Sequence, residues 1–114
     1  IVKFKSFNFA VRIVKLYQYL TDTKKEFVLS KQVLRSGTNP GAMVRESEHS
    51  ESKADFIHKL SIAQKEINET IYWLELLKET NYLAIQEFES MNTDAIEIIK
   101  LITSILKTIK ARNN

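Results

Sequence analysis

His49 and His58 are the residues best suited to acid–base or metal chemistry, because imidazole titrates near neutral pH and ligates divalent metals. They stand nine positions apart among Glu46, Glu48, Glu51 and Asp55. A metal site needs ligands that converge on one point, and here one histidine falls in a polar run and the other on an expected helix, which favours two surface histidines. The other chemistries lack their residues. The chain has no cysteine, which removes thiolate nucleophiles, disulfides and Zn–S sites and fits a reducing compartment. It also has no G-x-S-x-G elbow, no Ser/His/Asp set and no G-x-x-x-x-G-K phosphate loop. Both glycines and the single proline gather in Ser36-Gly37-Thr38-Asn39-Pro40-Gly41, where close packing is a better use for them than catalysis. The residues therefore imply no catalytic group, no metal, no cofactor and no enzyme.

Charge is the next candidate carrier of function. The net value of +3 conceals an asymmetry: residues 1–45 carry a net +7, residues 46–97 a net −8 and residues 98–114 a net +4. Two arrangements follow. Basic helices can pack beside acidic ones and neutralise them, or they can leave a basic face for a polyanion such as RNA or DNA. The candidates for nucleic-acid contact are Lys5, Arg12, Lys15, Lys24 and Lys25 near the start, and Lys100, Lys107, Lys110 and Arg112 near the end. Arg35 and Glu46 differ from these, because they interrupt a small and apolar stretch. If buried, each needs a polar partner, which makes them candidates for structural contacts within a bundle or between subunits.

These side chains must be positioned by helices. Three residues of Gly plus Pro among 114 cannot supply the turns of a sandwich or barrel, so an all-α single domain covering residues 1–114 is expected. The first helix runs from about Ser6 to Thr23 and carries two apolar stripes, Phe7, Ala10, Val11, Val14 and Tyr17 on one and Phe9, Ile13, Leu16 and Leu20 on the other. A helix facing one layer needs an apolar arc of only ~100°, so this one is expected to meet another subunit as well, a pattern that a deeply central helix of a monomer would also show. The second helix starts near Lys25. Either it ends at Gly37 and restarts with Asn39 as cap and Pro40 inside, or it continues with a kink at Pro40, while Ser36, Gly37, Gly41 and Ala42 let a neighbouring backbone approach.

Ser52-Lys53-Ala54-Asp55 has the form of a capping box and opens a helix to Thr80, with Phe56, Leu60, Ala63, Ile67, Ile71, Leu74 and Leu77 on its stripe. Trp73 and Leu76 fall off that stripe and are expected to face a neighbouring subunit. Asn81 suits a left-handed helix end. The last helix runs from about Ile85 to Lys110, with Phe88, Met91, Ala95, Ile98, Ile102, Ile105 and Ile109 inward, and Asn113 and Asn114 are expected to fray. Helices this long require an elongated bundle.

Val33-Leu34-Arg35-Ser36-Gly37-Thr38, Gly41-Ala42 and Val44-Arg45-Glu46, followed by the run Ser52 to Ala63 and by Glu69-Thr70-Ile71-Tyr72-Trp73-Leu74-Glu75-Leu76-Leu77, resemble the 23S rRNA intervening sequence proteins. The resemblance spans nearly the whole chain. It implies a bacterial, cytoplasmic, antiparallel up-and-down four-helix bundle with a continuous second helix kinked near Pro40, assembled as a homopentamer and without enzymatic activity. A similar bundle, the accessory protein of diversity-generating retroelements, binds nucleic acid as a basic pentamer. The chain departs from the family pattern at Asn39-Pro40 and Met43, where an Ile-Gly-Ala-Asn type of run is usual, so a role borne by that Asn is absent. The expected function is a homo-oligomer binding RNA or DNA through its basic residues, and the alternative is a protein-interaction scaffold with no nucleic-acid role.

No segment reaches the ~18 apolar residues of a membrane span, and Ile1-Val2-Lys3-Phe4-Lys5 lacks a signal-peptide pattern, which points to the cytoplasm. With no initiating Met at position 1, a few native residues are expected before Ile1.

Overall fold

The structure, a computed structural model, describes residues 1–112. The expectation of fraying at Asn113 and Asn114 lies outside the described residues. Four helices follow one another, α1 (Val2–Asp22), α2 (Leu29–Ser47), α3 (Lys53–Glu79) and α4 (Ile85–Ala111). Each packs against two others, α1 and α3 both lying between α2 and α4, in a bundle measuring 51 × 22 × 20 Å. Contacts such as Lys3 with Glu48, Lys5 with Glu97, and Gln64 with Thr103 set neighbouring helices antiparallel. This is the expected up-and-down four-helix bundle.

Local chemistry explains where the helices stop. α1 begins at Val2, earlier than the sequence spacing predicts, and Ser6 lies buried inside it. α2 begins at Leu29 rather than near Lys25, because Lys25 takes a left-handed conformation (φ 55°) and the chain then folds back through Glu26. The Glu26 carboxylate accepts the N–H groups of Val28, Leu29 and Ser30 at 3.2, 2.9 and 2.7 Å, which satisfies donors that a helix start leaves without partners. α2 then runs unbroken to Ser47 with Pro40 inside it.

At the start of α3 the Ser52 hydroxyl accepts the Asp55 N–H at 3.0 Å, as a capping box requires. The Asp55 carboxylate reaches back to the Glu51 N–H, one residue beyond the reciprocal partner the motif predicts. That hydrogen bond and Lys59 hold the Asp55 carboxyl below its ordinary value. α3 ends with Asn81 at φ 69°, the Asn81 N–H donating to Lys78 O and the Tyr82 N–H to Leu77 O, a complete Schellman turn.

The core draws on all four helices, with Ile13, Leu20, Val33, Leu60, Ile67, Leu74, Leu77, Met91, Ile98 and Ile102 among its buried side chains. On α3, Thr70 rather than Ile71 is fully buried, and its hydroxyl is hydrogen-bonded to Ser36 at 3.0 Å. On α4 the stripe ends on Leu106, while Ile105 and Ile109 are half-buried. The tightest approach is between α1 and α2. A β-carbon on Gly37 would stand 2.6 Å from Ile13 Cγ1, and one on Gly41 would stand 3.2 Å from the Ser6 carbonyl oxygen. The glycines therefore set the distance between these two helices. Among the described residues no helix is long and apolar enough to cross a membrane.

Candidate interaction surfaces

α1 carries its apolar residues on two faces, and only one of them enters the core. Phe9, Ile13, Leu16 and Leu20 are buried. Phe7, Val11 and Val14 point outward together with Phe4, which the sequence spacing had not placed on the stripe because the helix was expected to start later. Phe4 is 69% exposed and Phe7 52%, so four apolar side chains at three- and four-residue steps form a continuous stripe in water. Beside it runs an open groove of about 400 Å³ lined by Phe7 and Ala10 of α1 and by Thr38, Gly41 and Ala42 of α2. The Arg45 guanidinium also borders it, 5.6 Å above the Phe7 ring.

The nine basic candidates do not form one surface. Lys5 is paired with Glu97 at 3.1 Å, and Arg12 holds Asp94 at 2.8 Å and Glu87 at 3.1 Å. Lys5 and Arg12 are in this way engaged by the acidic first half of α4. Lys15 is exposed and borders a depression with Arg12, Tyr19 and Ala84, while Lys24 borders the α3–α4 turn and Lys25 forms the left-handed bend. Because α1 and α4 are antiparallel, Lys24 and Lys25 stand at the opposite end of the bundle from Lys110 and Arg112. Lys100 and Lys107 share one face of α4 with Thr103, Ser104 and Thr108. Among the described residues no carboxylate lies within ion-pair distance of Lys100, Lys107, Lys110 or Arg112.

Arg35 is half exposed and bridges α2 to α3 through ion pairs with Glu66 at 3.1 Å and with Glu69. The Trp73 indole N–H also donates to Glu69, at 2.9 Å, and together with Arg35 holds the Glu69 carboxyl below its ordinary value. Trp73 is half-buried, with the more exposed Tyr72 ring set edge-on at 5.0 Å. The spacing had singled out both Arg35 and Trp73 without showing that they meet at one carboxylate. Glu46 is exposed and borders the α1–α2 groove. His49 sits in the turn after α2 and His58 on the surface of α3, and among the described residues no three His, Asp or Glu side chains converge as metal ligands.

Comparison with known proteins places this arrangement. A family model described as 23S rRNA-intervening sequence protein matches residues 1–104. A crystal structure of a protein of unknown function from the S23 ribosomal protein family of Bacteroides thetaiotaomicron superposes with a TM-score of 0.93 at 59% sequence identity, covering 94% of this chain and 99% of that one. No curated protein matches the sequence.

Proposed function

The chain belongs to the 23S rRNA-intervening sequence protein family, and from that premise we propose that it is a non-enzymatic bundle that assembles as a homopentamer and binds RNA or DNA. The observation that carries the assembly is the outward stripe of α1, Phe4, Phe7, Val11 and Val14. Fully burying an exposed side chain of this size is worth about 1.5–3 kcal/mol, and with Phe4 69%, Phe7 52%, Val11 38% and Val14 39% exposed, a contact covering all four recovers roughly half of that for each. Light scattering on the full chain tests it. The expected mass is a pentamer of the 13.3 kDa chain, and replacing Val11 and Val14 by Asp should leave helical monomers. A wild-type protein that stays at 13.3 kDa at working concentration overturns the assembly.

A second reading, a protein-interaction scaffold, is favoured by the ion pairs of Lys5 and Arg12, which remove two bases from any nucleic-acid face. Capture of a partner protein that survives nuclease treatment, with no binding of the chain to RNA or DNA, would establish it in place of the first.

A further inference from the structure

Acids and bases on α4 are segregated: Glu87, Glu89, Asp94 and Glu97 occupy its first half, and residues 98–112 carry Lys100, Lys107, Lys110 and Arg112 with no acid at all. The first half is where α1 lies. The ion pairs from Lys5 and Arg12 reach Glu97, Asp94 and Glu87 and extend no further along the helix. The second half thus keeps its positive charge while the rest of the α1–α4 contact is neutralised.

We infer that the second half of α4, centred on Lys100, Thr103, Ser104, Lys107 and Thr108, is the surface that grips the phosphodiester backbone of a nucleic acid. The inference rests on the nucleic-acid binding proposed above and locates it on one helix face. Lys100 and Lys107 are exposed and two turns apart, which separates their α-carbons by about 10.5 Å along the axis, so the two ammonium groups can engage separate phosphates of one backbone. Between them lie Thr103 and Ser104, and Thr108 follows. Thr103 Oγ1 already accepts the Gln64 side-chain N–H at 2.8 Å, so its own proton is free to be donated outward. Lysines interleaved with hydroxyl donors supply both the charge and the short hydrogen bonds that backbone phosphates accept.

A structural explanation exists for part of this pattern. Bases in the last turn of a helix complement its dipole, and that accounts for Lys110 and Arg112. The dipole effect fades beyond the last turn, so it does not account for Lys100, which lies about three turns from the end of α4 at Ala111. Neither does ion pairing.

The test is the salt dependence of binding to a labelled oligouridylate, a duplex RNA and a DNA duplex, using the full chain. If a short probe seats on one chain of the assembly and engages four phosphates there, affinity falls between about 50 and 200 mM salt by roughly 50-fold for a single strand and roughly 150-fold for a duplex. Lys100→Gln with Lys107→Gln should remove two contacts and cut those factors to roughly 7-fold and 12-fold. Lys5→Gln with Arg12→Gln should leave the slope of the wild type, and circular dichroism should show both double variants folded. The inference is overturned while nucleic-acid binding survives if the α4 variant keeps the wild-type slope. Both fall if the wild type binds none of the three probes. The ratio of RNA to DNA affinity shows which backbone is preferred.

Discussion

The Ile13 side chain occupies the space where a β-carbon of residue 37 would sit, its Cγ1, Cδ1 and Cγ2 atoms standing 2.6, 2.7 and 2.9 Å from that position. Both residues are fully or nearly fully buried, so neither can move into solvent to relieve a clash. Gly37→Ala gains up to about 1 kcal/mol of helix propensity, but overpacking costs about 1–3 kcal/mol, and the net effect should be a loss of about 1 kcal/mol. Urea unfolding measures it. Ile13→Val removes the Cδ1 atom and should cost less in the Gly37→Ala background than alone, and a double-mutant cycle with no coupling would show that the contact does not set the α1–α2 distance.

Removing the Glu26 carboxylate leaves the first N–H groups of α2 without acceptors. Glu26 is 9% exposed, and hydrogen bonds to a charged group are worth about 1.5–3 kcal/mol, so Glu26→Ala should cost about 2 kcal/mol. Thermal unfolding should show a drop of roughly 8 °C for a chain of this size. An unchanged melting temperature would mean that water replaces the carboxylate at no cost.

Glu69 predicts an acid dependence. Its carboxyl is held below the ordinary value of 4.5 by the Trp73 N–H and then by Arg35, so it contributes stability that is present above the unfolded carboxyl value and is lost as pH falls through the lower folded one. The wild type should therefore lose more stability than Glu69→Gln between neutral pH and pH values below 4.5. Trp73 is the single tryptophan, so its emission should titrate in the same acid range. Parallel pH profiles for the two proteins would show that the contact contributes no linkage.

Assembly through α1 has a thermodynamic signature separate from mass. Any self-association of the folded state makes the melting temperature rise with protein concentration. Val11→Ser with Val14→Ser changes exposed positions of the isolated chain, so its melting temperature should become independent of concentration while the value at high dilution stays close to wild type. A concentration dependence retained in this variant would place the contact elsewhere.

The helices were legible because each carries its own period. The stripes of α3 and α4, the Ser52 cap and the Asn81 turn all depend on residues a few positions apart. α1 shows where this runs out. Its two stripes are equally apolar, and only the packing of Ile13 on Gly37 and of Ser6 on Gly41 shows which one faces inward. The Glu26 cap was not legible, since it depends on a lysine in a left-handed conformation, where glycine or asparagine is the usual signal. Nor were the ion pairs. Arg12 finds Asp94 across 82 positions and Arg35 finds Glu66 across 31, distances at which periodicity is silent. Charge segregation along the chain predicted that basic and acidic helices would pair, but not that ion pairing with α1 would stop at Glu97.

The way the helices follow one another also bears on how fast the chain finds its fold. Three of the four helix–helix contacts join consecutive helices through short turns, so a nascent hairpin can form each of them without closing a long loop. The contact between α1 and α4 alone joins the two ends, and its ion pairs span 75 and 82 positions. Closing that seam belongs late on the folding path. Weakening Arg12 should thus quicken unfolding while refolding keeps its rate, and the α1 edge should be the first part of the bundle to open.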